Sequence, residues 1–136
     1  MRINVKRFFL AAVAAFVFIY IFDGSFHGMY MKEAYMATAN VWRPVDTMMG
    51  YAPWILVGQA LVAAVFALIF AYGCEGRGIM EGFRYGLYIT LFVAGGMMMW
   101  YAVLPIPMDM LIKWIIGAFV KFSLAGMIVS LVYVKA

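Results

Sequence analysis

Four long apolar stretches, separated by short polar or proline-containing segments, dominate the chain. An α-helix needs roughly 20 apolar residues to cross about 30 Å of hydrocarbon, and each stretch reaches that length. We therefore predict an all-α integral membrane protein, a single transmembrane domain over residues 1–136 folded as a four-helix bundle. The predicted helices cover residues 8–30, 51–72, 79–104 and 108–133, and an interfacial segment covers residues 31–50.

Prolines and glycines mark the ends of these stretches. Within residues 31–50, a helical extension or an interfacial helix is predicted to end before Pro44. Pro53 falls in the first turn of the second helix, where its missing N–H is tolerated. The glycine-rich residues 73–78 form a turn, and Pro105 and Pro107 separate the third helix from the fourth. These breaks leave room for short connections only.

The composition excludes a soluble domain. With 68% hydrophobic residues, 12% charged residues and a mean hydropathy of +1.00, the chain is too apolar to fold in water. The net charge of +4 comes from basic residues that flank or interrupt the apolar stretches, which is a topology signal rather than a nucleic-acid surface. We predict the lipid bilayer as a partner and no nucleic acid.

The basic residues predict that both chain ends lie inside. Six basic residues fall on the inner side of the predicted helices: Arg2, Lys6, Arg7, Arg77, Arg84 and Lys135. Three fall on the other side: Lys32, Arg43 and Lys113. All four tryptophans then lie at the outer interface, where indole rings are enriched. Both signals favour an N-in, C-in topology.

Three polar residues are predicted to lie inside the membrane. Lys121 falls near the middle of the fourth helix, where a lysine costs roughly 2.5 to 3.5 kcal/mol and needs a partner. Asp23 is the acid at the most comparable depth, and Gln59 could bridge the two. The cluster is a structural ion pair, a site for an ion, a proton or an anionic headgroup, or a contact with a partner chain.

Other polar groups lie nearer the outer interface. His27 follows Asp23 by one helical turn, so the two could form a protonation or metal site, or His27 is a structural interfacial residue capped by that acid. Asp109 and Lys113 lie at the start of the fourth helix. Copper(I) binding is a weaker hypothesis. It rests on Met29 and Met31, which lie close to His27 in the sequence, because thioethers and an imidazole suit that ion. No other cofactor is predicted, and no nucleophile–base set points to an enzyme.

Small residues at a spacing of four predict faces for close helix contact. One such face, Gly24 and Gly28, lies on the first helix, and the other, Gly78, Gly82 and Gly86, lies on the third. We expect these faces to pack helices within the chain or between chains. Near them, Glu81 and Arg84 are predicted to form a local ion pair.

A faint internal repeat relates the two halves of the chain. Residues 44–46 and 54–58 echo residues 107–109 and 114–117. Two repeated helical hairpins, related by an axis along the membrane normal, would explain this echo.

Several stretches resemble a family of small, uncharacterised bacterial inner-membrane proteins with four transmembrane helices. They are His27-Gly28, residues 37–44, Pro53-Trp54, Gly58-Gln59, and residues 75–78 leading into 81–87. The resemblance implies the fold and a location in the bacterial inner membrane, and it implies no activity. The functional hypotheses are an accessory subunit of a larger membrane assembly, a small oligomeric transporter or channel, and a copper-binding protein.

Overall fold

The structure, a computed structural model that describes residues 3–134, contains helices and no strand in that range, with 84% helix. Its elements in chain order are α1 (Val5–Ser25) with a π-helical turn (Phe26–Tyr30), α2 (Lys32–Ala37), α3 (Val45–Met48) with a 3-10 turn (Met49–Tyr51), α4 (Ala52–Gly73), α5 (Ile79–Val103) and α6 (Met108–Val132). Arg2 and Lys135 from the charge count lie outside the described residues.

Four segments are long and apolar enough to cross a membrane: Val5–Tyr30, Val45–Gly73, Ile79–Val103 and Met108–Val132. The all-helical class with four membrane-length helices is thereby confirmed. The N-in, C-in orientation and the repeated hairpins stay predictions.

Two helix starts differ from the sequence prediction. α1 begins at Val5, ahead of Lys6 and Arg7, because the Asn4 side chain accepts the Arg7 N–H at 3.1 Å and caps the helix. The second spanning segment begins at Val45 rather than near residue 51. Its 3-10 turn precedes Pro53, whose ring and missing N–H disfavour regular α-helix four residues earlier.

The closest helix contact joins α5 to α6. A Cβ added at Gly82 would fall on the backbone carbonyl of Gly126, and one added at Gly86 would fall on that of Phe122. The two backbones therefore touch directly. Gly78 does not belong to this contact: it precedes α5 with a φ of 73°, a left-handed conformation that glycine adopts without strain.

α1 packs against both α4 and α6 around small side chains. Ala11 and Ala15 of α1 and Ala67 of α4 are fully buried in the main apolar cluster. α4 and α5 meet through aromatic side chains, and the Tyr85 hydroxyl donates a 2.7 Å hydrogen bond to the Phe66 carbonyl. α1 is thus placed between the helices that carry Gln59 and Lys121.

The two described chain ends meet at one end of the bundle. The Asn4 backbone N–H donates to the Tyr133 hydroxyl at 3.2 Å, and the Arg7 guanidinium donates to the Val134 carbonyl at 2.9 Å. We call this end, which also holds the 74–78 turn, the proximal end. The opposite end, formed by residues 26–44 and 104–107, is the distal end.

Glu81 holds the 74–78 turn in place. Its two carboxylate oxygens accept the backbone N–H groups of Glu75 and Arg77, the latter at 2.7 Å. The predicted Glu81–Arg84 ion pair is wrong, because the Glu81 carboxylate accepts two turn N–H groups that precede α5. Arg77 instead pairs with Glu75 at 2.7 Å on the surface. An acid at the third position of a helix commonly reaches back in this way.

We expect Glu81→Gln to loosen the turn by about 1 to 2 kcal/mol, since an amide presents only one acceptor oxygen to the two N–H groups. Limited trypsin digestion in detergent measures the effect, because Arg77 lies in the turn. Cleavage after Arg77 should accelerate in Glu81→Gln and stay near the wild-type rate in Glu75→Gln, which loses only an exposed ion pair. Equal acceleration in both variants would contradict the role assigned to Glu81.

Candidate intramembrane site

Three polar side chains from three helices meet inside the bundle. The Lys121 ammonium of α6 lies 2.9 Å from Asp23 Oδ1 of α1. The Gln59 amide of α4 donates from Nε2 to Asp23 Oδ2 at 3.1 Å. The lysine and aspartate side chains are only 16% and 17% exposed. Both carboxylate oxygens of Asp23 are therefore engaged, one by a charge and one by an amide.

The local sequence explains why these groups converge. Asp23 lies two residues before α1 ends, and α1 packs against both α4 and α6. Lys121 has Phe122 beside it, and its ammonium lies 5.0 Å from that ring's centroid, within reach of a cation–π attraction. An ion pair of this kind places no net charge in hydrocarbon, which lowers the cost of burying it.

Gln59 contributes differently from the bridge that the sequence predicts. A carboxylate only accepts hydrogen bonds, so the amide presents its NH₂ group to Asp23 and its Oε1 points elsewhere. That oxygen is buried and receives no hydrogen bond from residues 3–134. A buried acceptor without a donor costs about 1 to 3 kcal/mol. The site thus retains one unused acceptor beside a neutralised charge pair.

His27 does not bond to Asp23 but to a residue that the sequence analysis missed. Its Nδ1 lies 2.6 Å from the Tyr35 hydroxyl, and the Trp114 indole N–H donates to the same hydroxyl at 3.0 Å. Since an indole only donates, the phenol oxygen accepts from Trp114 and its own proton is free for His27 Nδ1. Tyr35 lies among polar residues in the 31–50 segment. Aromatic residues are common at a membrane interface, so the sequence alone does not single out Tyr35.

Burial raises the pKa of Tyr35 above its ordinary value of 10.0; the negative charge of Asp23 adds to this, and the Trp114 hydrogen bond opposes it. The unfolded phenol then loses its proton first as pH rises. The contribution of the protonated Tyr35 phenol to the stability of the folded protein is fully present below about pH 10. It falls as the pH rises from there through the pKa of Tyr35 in the folded state.

We therefore expect wild-type protein to lose more stability than Tyr35→Phe between about pH 8 and about pH 11. Thermal melts in detergent at the two pH values measure this, with Tyr30→Phe as the control, because Tyr30 is 64% exposed in the neighbouring turn. A Tyr35→Phe curve parallel to wild type would contradict the assignment.

The remaining predicted interfacial groups are separate from this site. Lys113 and Asp109 form an exposed pair at 3.3 Å, one turn apart on α6. Met29 is 77% exposed, whereas Met31 is fully buried with Ile106 and Met110. Met29, Met31 and His27 are thus in different surroundings. Among the described residues, no group of three or more His, Cys, Asp or Glu side chains could hold a metal ion.

Gly24 and Gly28 face open space within this chain. A Cβ at either position would have no neighbour within 4 Å. The predicted close contact at these two glycines is therefore not made by another helix within residues 3–134.

No protein-family model, curated protein or solved structure matches this chain. The resemblance to small bacterial inner-membrane proteins is thus without a family match, and family membership and the particular membrane stay predictions. Four apolar helices and an internal ion pair define the class: an integral, multi-pass membrane protein.

Proposed function

We propose that this protein is a small membrane transporter, acting as an oligomer, with Asp23, Gln59 and Lys121 as its transport site. The observation that carries the proposal is the buried Gln59 Oε1, which has no donor among residues 3–134 and lies on the amide bonded to Asp23. Ionisable residues within membrane helices are costly and commonly mark ion or proton pathways.

The chemistry of the three groups fits proton transport. Protonation of Asp23 would remove the charge that neutralises Lys121 and weaken the contact between α1 and α6. A water molecule on a proton path would donate a hydrogen bond to Gln59 Oε1 and satisfy it. Two states of the bundle, with the pair closed or open, would then differ in protonation.

Proton flux in liposomes tests this proposal. Purified protein is reconstituted with a pH-sensitive dye inside, and a pH gradient is applied together with a potassium ionophore to balance charge. We expect flux above that of protein-free liposomes, lost in Asp23→Asn and Lys121→Met. Lys113→Met is the matched control, because it removes a lysine from an exposed ion pair on the same helix. Flux no greater than in protein-free liposomes, or equal flux in all variants, would refute the proposal.

A role as an accessory subunit is the second candidate, and the open glycines favour it. Gly24 and Gly28 allow a helix backbone to approach closely, yet no part of the described chain does so. The mass and composition of the native assembly in mild detergent separate the candidates. A stoichiometric second protein would favour the accessory role, and a homo-oligomer would favour transport. Copper binding at His27, Met29 and Met31 stays a prediction.

A further inference from the structure

A cleft at the distal end is separate from the ion pair. It has a volume of about 750 Å³ and is lined by residues of four elements, among them His27, Gly96, Trp100 and Trp114. Pockets for small molecules commonly have volumes of about 300–1,000 Å³ and mainly apolar walls with few polar groups. The cleft lies at a bundle end, beside exposed apolar side chains of α5 such as Phe92, which is 83% exposed.

His27 presents a hydrogen-bond donor to this cleft. Because Trp114 donates to the Tyr35 oxygen, the phenol proton is available to His27 Nδ1, and a neutral imidazole then carries its own proton on Nε2. Nε2 makes no hydrogen bond to residues 3–134, and more than a third of the His27 surface is exposed. The network thus fixes the ring and leaves one N–H for a ligand.

The walls suit a flat, uncharged ring. Gly95 and Gly96 leave the α5 backbone bare, since a Cβ at either would have no neighbour within 4 Å. Trp100 and Trp114 supply aromatic faces, and Met97 supplies a polarisable thioether that packs well against rings. No residue lining the cleft carries a formal charge, so an acidic phospholipid headgroup would find no cation there.

We infer that the cleft binds a lipid-soluble quinone. One carbonyl oxygen accepts from His27 Nε2, the ring lies along Gly95 and Gly96, and the alkyl tail extends past Phe92 into the bilayer. A carbonyl matches the His27 donor, and a neutral ring matches the uncharged walls. This binding does not depend on the proposed transport function, because it uses none of the three residues of the ion-pair site.

Saturable quenching of tryptophan fluorescence tests the inference, because Trp100 and Trp114 line the cleft. The probe is a benzoquinone with a ten-carbon tail, added to protein in nanodiscs. We expect the quenching to saturate in the wild-type protein. The hydroquinone dimethyl ether with the same tail should compete with the quinone, because it keeps an acceptor oxygen on the ring. The ten-carbon alcohol, which has no ring, should not compete.

Two variants locate the binding. Gly96→Leu fills the cleft and should abolish the saturable component, whereas Gly58→Leu, at an equally open glycine of α4, should retain it. His27→Phe keeps an aromatic ring without the donor and should weaken binding about tenfold. Non-saturable quenching in wild type, unchanged binding in both Gly96→Leu and His27→Phe, or equal competition by the alcohol would overturn the inference.

Discussion

Lys121→Met is expected to destabilise the bundle by about 3 kcal/mol, and adding Asp23→Asn should restore most of that loss. The single variant leaves the Asp23 carboxylate in an apolar region with only Gln59 as a partner. The double variant removes both charges and keeps an oxygen at residue 23 for the Gln59 NH₂ group. An unpaired charge is thus the expensive state, not the absence of the pair.

Unfolding in a series of denaturing detergent mixtures measures this double-mutant cycle. Lys113→Met provides the reference for losing an ion pair that water already solvates, and it should cost about 0 to 1 kcal/mol. If Lys121→Met and the double variant unfolded at the same detergent composition, Asp23 would be solvated in the absence of the lysine. The ion pair would then contribute little to the contact of α1 with α6.

The second large effect is expected from Gly86→Ala, which should cost about 3 kcal/mol or more. The new methyl group would occupy the position of the Phe122 carbonyl, so the α5 and α6 backbones would have to separate. Ordinary overpacking moves side chains, but here only backbone can give way. We expect loss of the folded protein or a markedly lower melting temperature.

Gly95→Ala is the matched control on the same helix. Its Cβ would meet nothing within 4 Å, and alanine favours helix over glycine by about 1 kcal/mol, so the variant should be neutral or more stable. Size-exclusion profiles and thermal melts in detergent compare the two. A normal melt for Gly86→Ala would show that the two helices are not in backbone contact.

Hydropathy predicted the four spans because a membrane helix has to be apolar along most of its length. Helix ends depend on local hydrogen bonds instead, which is why the Asn4 cap and the helical start at Val45 were missed. Depth along each helix was enough to suggest Asp23 as a partner for Lys121. It could not say that Gln59 would bond only to the acid, which depends on how α4 is rotated against α1.

The spacing of the glycines predicted their structural roles only in part. Gly82 and Gly86 pack against α6, whereas Gly78, at the same spacing, serves a positive φ and Gly24 faces open space. A spacing of four shows which residues share a helical face but not whether another helix covers that face. Tyr35 was missed for a related reason: its hydroxyl becomes a shared hydrogen-bond partner only when α2 meets α6.

The sequence separation of 98 between Asp23 and Lys121 has a consequence for biosynthesis. The acid enters the membrane with α1, and the lysine arrives only with α6. A nascent chain that does not yet contain α6 therefore carries this acid without its cationic partner, at a cost of up to roughly 2.5 to 3.5 kcal/mol. Insertion of α6 pairs the carboxylate with the Lys121 ammonium, so this charge pair distinguishes chains that contain α6 from chains that lack it.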